Sequence, residues 1–304
     1  MSMRLRPHRA GAPPEPPTAT LNALTFDVED YYQVSAFDGL LSRTAWDGMP
    51  SRVLASTERL LALCDEAGVR ATFFVLGYVA WRHRSLVRAI SRAGHEVGCH
   101  GFWHRLIYEQ TPGEFRDDVR QARDLLEEIV GAPVTSYRAP SFSVTRRSEW
   151  ALDVLLEEGF LIDSSVYPVR HDRYGLPGAA PEPHPVERHG GLLWEFPPPV
   201  WRVCGYPLPV GGGGYFRLYP YPLTKHGLRS INRAGRPFAF YLHPWEVDPA
   251  QPRLSAGWLR SWRHYVGLKR TEGRLARLLR DFRFGTLTEA LDAYRGVLPE
   301  GRAA

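Results

Sequence analysis

The sequence predicts an α/β fold of seven or eight strands with intervening helices, built as one large domain. With 304 residues and 44% hydrophobic content, the chain can bury a core of barrel size. From residue 21 to about 165, strand-like runs alternate with helical runs, which favours parallel βα units over hairpins. The chemically interesting polar residues directly follow strands, where barrel enzymes gather their active-site groups.

The first part of the chain supplies three predicted strands and two helices. The helix predicted over residues 51–67 has apolar residues at helical spacing, and Gly68 after it suits a left-handed helix end. A short helix is predicted to stop at Gly94. The strands cover residues 24–26, 71–76 and 96–99, and they lead to Asp27 and His100.

A capping box marks the start of the next helix. The run Thr-Pro-Gly-Glu at residues 111–114 combines a capping hydroxyl, a proline at the first helical position and an acid three residues after the cap. We expect this helix to close at Gly131. A strand over residues 134–137, a helix through residues 150–156 and a strand over residues 160–162 should follow.

Residues 168–237 are predicted to form a loop-rich insertion, because runs of proline and glycine interrupt any periodicity there. One strand is expected inside it, over residues 192–196. Regular structure should return with a strand over 238–242, a helix over 271–282, a strand over 284–287 and a last helix capped by Thr288. The single domain would span residues 21–295, between a disordered leader (1–20) and a flexible tail (296–304).

The composition argues against several other classes of protein. The net charge of +5 and the pI near 9.2 come from arginines scattered through predicted helices, so a nucleic-acid partner is not expected. Cys64, Cys99 and Cys204 are odd in number and lack CxxC spacing, which favours a reducing compartment. We find no apolar run long enough for a transmembrane segment and expect a cytoplasmic protein.

His100 and His104 are the first candidates for a metal site. On one side of a helical turn, two imidazoles four positions apart can share an ion with a carboxylate from another strand end. Gly98 and Gly101 flank the first histidine and permit a close approach of the backbone. Because HxxxH spacing is common by chance in helices, the metal interpretation depends on nearby acids.

Three such acids, Asp27, Glu29 and Asp30, follow the first strand. Between apolar residues 24–26 and the two tyrosines at 31–32, three uncompensated carboxylates would repel one another and lose solvation. A bound cation resolves this conflict, whereas a solvated loop would be the ordinary alternative. Spacing leaves open whether Glu29 or Asp30 is the third ligand, and Asp27 is the natural proton acceptor.

Three more polar residues follow later strands. Arg138 lies before Ala139-Pro140 and is predicted to pair with Asp27. His243, at the end of an apolar strand and before a proline, is well placed as a proton donor. Asp163 either caps its own turn or supports His243 as the acid of a hydrolase triad does.

Together these segments resemble the polysaccharide deacetylases of the NodB-homology family, carbohydrate esterase family 4, over residues 21–290. Residues 25–30 correspond to the family's Thr-Phe-Asp-Asp motif, 100–104 to its His-x-x-x-His pair and 138–140 to its Arg-x-Pro motif. Residues 163–165 and 242–243 match its last two motifs. The chain is most similar to the subset found with exopolysaccharide and exosortase gene clusters, which shares Asp-Val-Glu-Asp-Tyr, Gly-Gly-Gly-Tyr-Phe-Arg (here 212–217) and His-Pro-Trp-Glu.

The resemblance implies a distorted (β/α)7–8 barrel of the NodB type, a divalent metal that is usually Zn2+, and removal of acetyl groups from N-acetylated sugars. It implies metal ligands at His100, His104 and Glu29 or Asp30. The implied catalytic residues are Asp27 as base, His243 as acid, and Arg138 and Asp163 as their supports. Tyr215, Phe216 and Trp245 become candidates to stack on sugar rings, although each also suits a core.

Two departures from the family pattern affect what is carried over. The first motif is stretched to Asp-Val-Glu-Asp, and residues 166–167 are Val-Tyr where the family usually has Trp, so the substrate groove should differ. The implied partner is an N-acetylated carbohydrate, and association with membrane-bound polysaccharide synthesis machinery is compatible with it. The alternatives are a related amide hydrolase, acting on a formyl group or a small cyclic amide, and a non-catalytic sugar-binding barrel.

Overall fold

One nine-stranded sheet runs through both halves of the chain. The computed structural model describes residues 20–297, apart from residues 38, 172, 189 and 256. The expected leader and tail therefore lie outside the described residues, except for residues 20, 296 and 297. The described strands are β1 (Leu21–Val28), β2 (Thr72–Val75), β3 (Glu96–Cys99), β4 (Ser136–Tyr137), β5 (Ile162–Asp163), β6 (His184–Arg188), β7 (Gly191–Glu195), β8 (Val200–Val203), β9 (Tyr206–Pro209), β10 (Ala239–Leu242) and β11 (Arg283–Gly285).

The sheet is curled and open. Its strand order is β10-β1-β2-β3-β4-β5-β7-β6, and β11 pairs with the first residues of β1. These strand pairs are parallel except β6–β7, and β8 and β9 form a separate antiparallel hairpin. The predicted α/β class is confirmed. Because no described pairing joins β6 to β10, the barrel is only partly closed.

Helices connect the parallel strands and pack on the sheet. The described α-helices are α1 (Val53–Ala67), α2 (Gly77–Arg82), α3 (Arg84–Arg92), α4 (Pro112–Val130), α5 (Ala151–Glu157), α6 (Gly213–Leu218), α7 (Tyr221–Arg233), α8 (Trp258–Tyr265), α9 (Leu268–Asp281) and α10 (Leu287–Arg295). The capping box that the sequence predicts for α4 is present, and Gly131 ends that helix in the left-handed conformation.

Helix α2 escapes sequence prediction, because residues 71–81 form one apolar run. The strand β2 ends at Val75, and the backbone N–H groups of Gly77 and Tyr78 donate to the carbonyl oxygens of Gly101 and Phe102 over 2.8 and 3.1 Å. These bonds attach the start of α2 to the loop after β3. Contacts with a distant segment therefore fix the turn from β2 to α2, and the periodicity of the sequence cannot predict such contacts.

The prediction that residues 168–237 are mostly loop is wrong. The expected strand is present as β7, but the segment also contains β6, β8, β9, α6 and α7. Proline hid these elements from the periodicity analysis. Pro222 lies in the first turn of α7, where a helix needs no N–H donor, and Pro207 and Pro209 lie in the two-stranded hairpin.

The last helix begins earlier than the sequence predicts. Thr286, and not Thr288, is the capping residue of α10: its hydroxyl accepts from the Glu289 N–H, and the Glu289 carboxylate accepts from the Thr286 N–H. This is a capping box, whose partner acid lies three residues after the cap. The strand before it, β11, accordingly ends at Gly285 rather than at residue 287.

The parallel arrangement brings the polar residues of the sequence motifs to one edge. The carboxyl ends of β1, β3, β4, β5 and β10 point the same way because these strands are parallel. Asp27, His100, Arg138, Asp163 and His243 lie within or directly after those ends. The strand β1 is central, since it pairs with β2, β10 and β11, and its residues from Asn22 onward are buried.

Two composition-based expectations can be compared with the described residues. Cys64, Cys99 and Cys204 are all free thiols, as their spacing predicts. Among the described helices, none combines the length and the apolar composition that a membrane span requires.

Gly212 fixes the approach of the glycine-rich segment to β10. Its φ is 137°, it forms a parallel bridge with Tyr241, and a Cβ atom placed on it would lie 1.8 Å from the Tyr241 carbonyl oxygen. An L-residue is strained at this φ and would also collide with backbone. Glycine is therefore required where α6 leaves the sheet.

We expect Gly212→Ala to lower the free energy of unfolding by about 3 kcal/mol, because both the backbone strain and the collision must be relieved by moving β10 or α6. Denaturant unfolding followed by circular dichroism measures this change. Gly113→Ala is the matched control, since that glycine has no positive φ and open space around its Cβ position. Equal stability changes in the two variants would contradict this account.

Candidate active site

Five polar side chains from four strand ends meet at the carboxyl edge of the sheet. They are Asp27 from the end of β1, Glu29 just after it, His100 after β3, Arg138 after β4 and His243 after β10. The first four are at most 2% exposed, and the side chain of His243 is 18% exposed. A cavity of about 310 Å³ opens onto this group, and its lining includes Asp27, Glu29, His104 and His243.

His100 has a defined orientation and protonation state. Its Nδ1 lies 2.8 Å from the carbonyl oxygen of Arg138, which can only accept, so Nδ1 carries the proton and Nε2 has a free lone pair. Burial lowers the pKa of His100 to about 4, although the carboxylate of Asp27 opposes the shift. The imidazole is therefore neutral near pH 7, which is the form that binds metals.

The expectation that His100 and His104 share a helical turn is wrong. The segment between them is a loop in which Gly101 and His104 have φ values of 70° and 50°. The carboxylate of Asp118 on α4 holds this loop by accepting from the backbone N–H groups of Phe102 (2.7 Å) and Trp103 (3.2 Å). The ring centroids of the two histidines still lie 5.4 Å apart.

Glu29, and not Asp30, faces the two imidazoles. One ligand atom from each of Glu29, His100 and His104 lies within 4.8 Å of the others, and all three residues are buried. Burial would raise the pKa of Glu29, but the neighbouring imidazoles of His104, His243 and His100 lower it to about 2. Trp245 Nε1 donates to Glu29 Oε1 over 3.2 Å and fixes the carboxylate.

Asp30 is directed to the start of α1 instead. Its carboxylate accepts from the Ser51 hydroxyl (2.6 Å) and from the backbone N–H groups of Arg52 (3.0 Å) and Val53 (3.3 Å). These are N–H groups that the first turn of a helix leaves unpaired, and a carboxylate there is further favoured by the helix dipole. The prediction that Asp30 could be a metal ligand is not supported by this geometry.

The donor set of Glu29, His100 and His104 fits a divalent cation. Glu29 Oε2 is buried and lies 2.7 Å from His104 Nε2, yet it makes no hydrogen bond of acceptable geometry. A buried acceptor without a partner is costly, and a cation shared with the imidazoles would remove that cost. Two imidazole nitrogens and one carboxylate are also the ligands of catalytic zinc sites that keep an open position.

Asp27 and Arg138 form a buried ion pair beside this group. Arg138 Nη1 donates to Asp27 Oδ1 and to the Thr25 hydroxyl, both over 2.7 Å. Its other nitrogens donate to the carbonyl and hydroxyl oxygens of Ser164, and its guanidinium lies 4.3 Å from the Phe74 ring centroid. The pair thus holds Asp27 Oδ1, while Oδ2 lies 3.8 Å from His243 Nε2.

His243 is supported by Glu246, and the expected Asp163–His243 pair is absent. Glu246 Oε1 lies 2.8 Å from His243 Nδ1, and Glu246 Oε2 accepts from Arg217 Nε over 2.5 Å. Burial would lower the pKa of His243, but the hydrogen bond and charge of Glu246, together with Glu29, raise it to about 9. Sequence reasoning missed Glu246 and Arg217, although both stand in segments that it singled out, at residues 243–246 and 212–217.

Asp163 belongs to a different buried pair. The Ser165 hydroxyl donates to Asp163 Oδ1, and Asp163 lies opposite Glu195 in the β5–β7 register. Burial raises the pKa of Asp163 to about 6, and burial together with the neighbouring Asp163 raises the pKa of Glu195 well above its usual value. Glu195 Oε1 also accepts from the Val166 N–H. These contacts shape the loop after β5 and do not reach His243.

The residues expected to stack on sugar rings do not present open ring faces to the cavity. Phe216 is 1% exposed and packs edge-on against Phe240, so it belongs to the core. The ring of Trp245 stacks with His243 and with His264 at centroid distances of 5.1 and 4.2 Å. The hydroxyl groups of Tyr215 and Tyr174 form a hydrogen bond with each other. The aromatic residues that line the cavity besides Trp245 are Tyr108, Phe142, Tyr174 and Tyr241.

Two family models match adjacent parts of the chain. Residues 20–155 match the polysaccharide deacetylase model, and residues 164–292 match a domain of unknown function (DUF3473). A Mycobacterium smegmatis protein, provisionally named a polysaccharide deacetylase, has a similar fold in its crystal structure. The TM-score is 0.60 at 23% identity, over 93% of this chain and 95% of that one.

Curated relatives match the first part of the chain. YheN of Bacillus subtilis (strain 168), provisionally named a polysaccharide deacetylase, is 33% identical over 136 residues, which is 42% of this chain and 47% of YheN. A peptidoglycan deacetylase of Helicobacter pylori (strain 26695) is 30% identical over 108 residues, 36% of each chain. The chain therefore matches less than half of the length of these relatives.

We expect Glu246→Gln to lower the pKa of His243 by at least about one unit from its value near 9, because the variant removes the negative charge bonded to Nδ1. An NMR titration of the imidazole in chelator-treated protein measures this shift. Glu187→Gln, which changes an exposed acid on β6, should leave the His243 titration unchanged. An unaltered pKa in Glu246→Gln would show that this carboxylate does not control His243.

Proposed function

We propose that this chain, whose residues 20–155 match the polysaccharide deacetylase model, is a metal-dependent hydrolase that removes N-acetyl groups. The substrate we propose is an amino-sugar polysaccharide or its precursor. The observation that carries the proposal is the buried set of Glu29, His100 and His104 with Asp27 beside it, facing one cavity. A cation site with an adjacent base is one arrangement that activates water for attack on an amide carbonyl.

The metal ligands we propose are His100 and His104 with Glu29 as the carboxylate. Zn2+ is the ion best matched by two imidazoles and one carboxylate. Bound there, it would supply a Lewis acid that polarises the acetyl carbonyl and makes water at the site more acidic. Hydrogen bonds from neighbouring groups orient two of these ligands. The Arg138 carbonyl oxygen accepts from His100, and the Trp245 indole donates to Glu29.

Asp27 is the proposed general base. Its Oδ1 is held by Arg138, which leaves Oδ2 toward His243 and the cavity to take a proton from the attacking water. Arg138 is a positioning residue in this scheme, because its guanidinium is fully buried and bonded on every side by Thr25, Asp27 and Ser164. A base within a fixed network needs no reorganisation when the proton moves.

His243 is the proposed general acid, which protonates the departing amine. Its Nδ1 is occupied by Glu246, so Nε2 is the nitrogen that faces the reacting groups, 3.8 Å from Asp27 Oδ2 and 3.6 Å from Glu29 Oε1. Glu246 and Arg217 act through His243 and are positioning residues. Arg217 is itself held, since its Nη1 donates to the carbonyl oxygens of Arg263, His264 and Val266.

We also propose that the reaction belongs to exopolysaccharide synthesis. The support is that two sequence segments shared with the exopolysaccharide-associated subset supply Arg217 and Glu246, which position His243. These residues would therefore be part of the same catalytic apparatus as the general family motifs.

The activity is tested by incubating the Zn2+-loaded full-length protein with N-acetylglucosamine oligomers and quantifying acetate. We expect acetate release that chelator abolishes and added Zn2+ restores. Asp27→Asn should lower the rate by at least about a hundredfold, the order expected for loss of a general base, while Zn2+ stays bound. Release of formate or ammonia from a matching substrate panel instead of acetate would favour the other amide hydrolases, and binding without turnover would favour the sugar-binding alternative.

The ligand assignment is tested by metal analysis. Glu29→Gln and the double variant His100→Ala/His104→Ala should lose stoichiometric Zn2+, because each removes a negatively charged or nitrogen donor from the three-ligand set. Asp30→Asn is the matched control and should keep the metal, since that carboxylate bonds the start of α1. Atomic emission on dialysed protein gives the stoichiometry. Metal loss in Asp30→Asn together with retention in Glu29→Gln would reverse the assignment.

A further inference from the structure

A second cavity lies next to the active-site cavity. It has a volume of about 560 Å³ and shares four lining residues with the active-site cavity: Tyr108, His171, Arg173 and Tyr174. The two spaces therefore adjoin along this wall. A saccharide longer than one residue that places its acetyl group near Asp27 could extend into the second space.

The second cavity is lined by four arginines, Arg146, Arg147, Arg170 and Arg173, and we call it the arginine cavity. No described acidic side chain lines it, and within the described part of the chain none forms an ion pair with these arginines. Residues 145–148 and 169–177 include one acid, Asp172, which lies outside the described residues. The cavity wall thus carries an excess of positive charge.

Arginines on α4, in contrast, are neutralised by acids. Arg116, Arg120 and Arg123 on α4 all contact Glu158, which is itself nearly buried. That cluster is a structural ion-pair network, and its residues line neither the active-site cavity nor the arginine cavity. The contrast matters because four like charges around one space repel one another, and an anion placed among them gains from all four.

Both segments that carry these arginines are held in place. In the turn at residues 145–148, the Ser148 hydroxyl donates to the Ser143 carbonyl and accepts from the Thr145 N–H over 2.8 and 2.9 Å. The Arg147 guanidinium lies 6.0 Å from the ring centroid of Tyr108. The charge at this side of the cavity is therefore anchored by a defined turn.

The opposite segment is fixed by Tyr167 and Gly175. The carbonyl oxygen of Tyr167 accepts from the N–H groups of Val169 and Leu176, both over 2.8 Å. Gly175 has a φ of 99°, and a Cβ atom there would lie 2.4 Å from the Val169 carbonyl oxygen, so the loop closes tightly. Arg173 also donates to the Ser35 carbonyl oxygen over 3.3 Å. Arg170 and Arg173, which both line the cavity, lie between these two fixed points.

We propose that the arginine cavity is a subsite for an anionic group of the saccharide substrate, a carboxylate or a phosphate. This inference rests on the proposed deacetylase function, since it defines where the rest of the same substrate lies. Arginine is suited to this role because its planar fork bonds two oxygens of a carboxylate or phosphate at once. The substrate class would accordingly be an acidic amino-sugar polymer or a phosphate-linked precursor, rather than a neutral oligomer.

Steady-state kinetics on the Zn2+-loaded full-length protein tests the subsite. Three substrates are compared: hyaluronan tetrasaccharide (carboxylate), UDP-N-acetylglucosamine (phosphate) and neutral chitotetraose in its fully N-acetylated form. We expect kcat/KM at low salt to be roughly tenfold higher for at least one anionic substrate than for chitotetraose, and to fall as salt is added. The anionic substrate that shows this preference identifies the source of the charge.

The double variant Arg146→Gln/Arg170→Gln should lose that preference, with about a tenfold drop in kcat/KM for the anionic substrate and less than about a twofold change for chitotetraose. Arg88→Gln/Arg92→Gln on α3 is the matched control, because it removes two exposed charges that line neither cavity. A drop of equal size in both double variants, or equal use of all three substrates by the unaltered protein, would overturn the inference.

Equilibrium binding separates this inference from the deacetylase proposal. Titration calorimetry with the same saccharides and a short single-stranded DNA needs no turnover. If acetate is released but neither binding nor rate depends on Arg146 and Arg170, the subsite is refuted and the deacetylase proposal survives. If no acetate is released while an acidic saccharide binds through these arginines, the deacetylase proposal is refuted and the anion-binding site survives. Arginine-dependent binding of the DNA alone would also overturn the inference.

Discussion

Three acidic side chains just after β1 must be compensated, and the rest of the site depends on how this is achieved. Buried carboxylates are costly unless charges or hydrogen-bond donors surround them. Asp27 is compensated by Arg138, Glu29 by imidazoles and Trp245, and Asp30 by the start of α1. Three acids within four positions therefore have three different environments, each supplied by a different element of the fold.

The support of the site extends well beyond the residues that face the cavity. Arg138 draws together β1, β4 and the loop after β5, while Arg217 links the end of α6 to Glu246 and to the backbone at the end of α8. Both arginines are buried, and each guanidinium makes four hydrogen bonds. In the proposed deacetylase, such networks would hold the catalytic groups at fixed distances, which is a large part of what a protein contributes to catalysis.

The sequence predicts which residues lie at strand ends better than it predicts the contacts that these residues make with other segments. Asp27, His100 and Arg138 follow apolar runs that parallel pairing brings to one edge, so their proximity follows from periodicity. Spacing could not distinguish Glu29 from Asp30, because the difference arises from where α1 begins. The sequence did not predict that Glu246 supports His243, although the two residues lie in the same short turn. It predicted Asp163 for that role, whereas the β5–β7 register pairs Asp163 with Glu195. The arginine cavity joins two turns that are far from adjacent in sequence, which the scattered charge did not indicate.

The boundary between the two matched family models does not coincide with a boundary in the protein. Residues 164–292 contribute β10 and β11, which cover one side of β1, as well as His243, Glu246 and Arg217. A fragment cut between the two matches would expose the unpaired edge of its central strand. The part of the chain that matches a domain of unknown function therefore completes the same sheet as the part that precedes it.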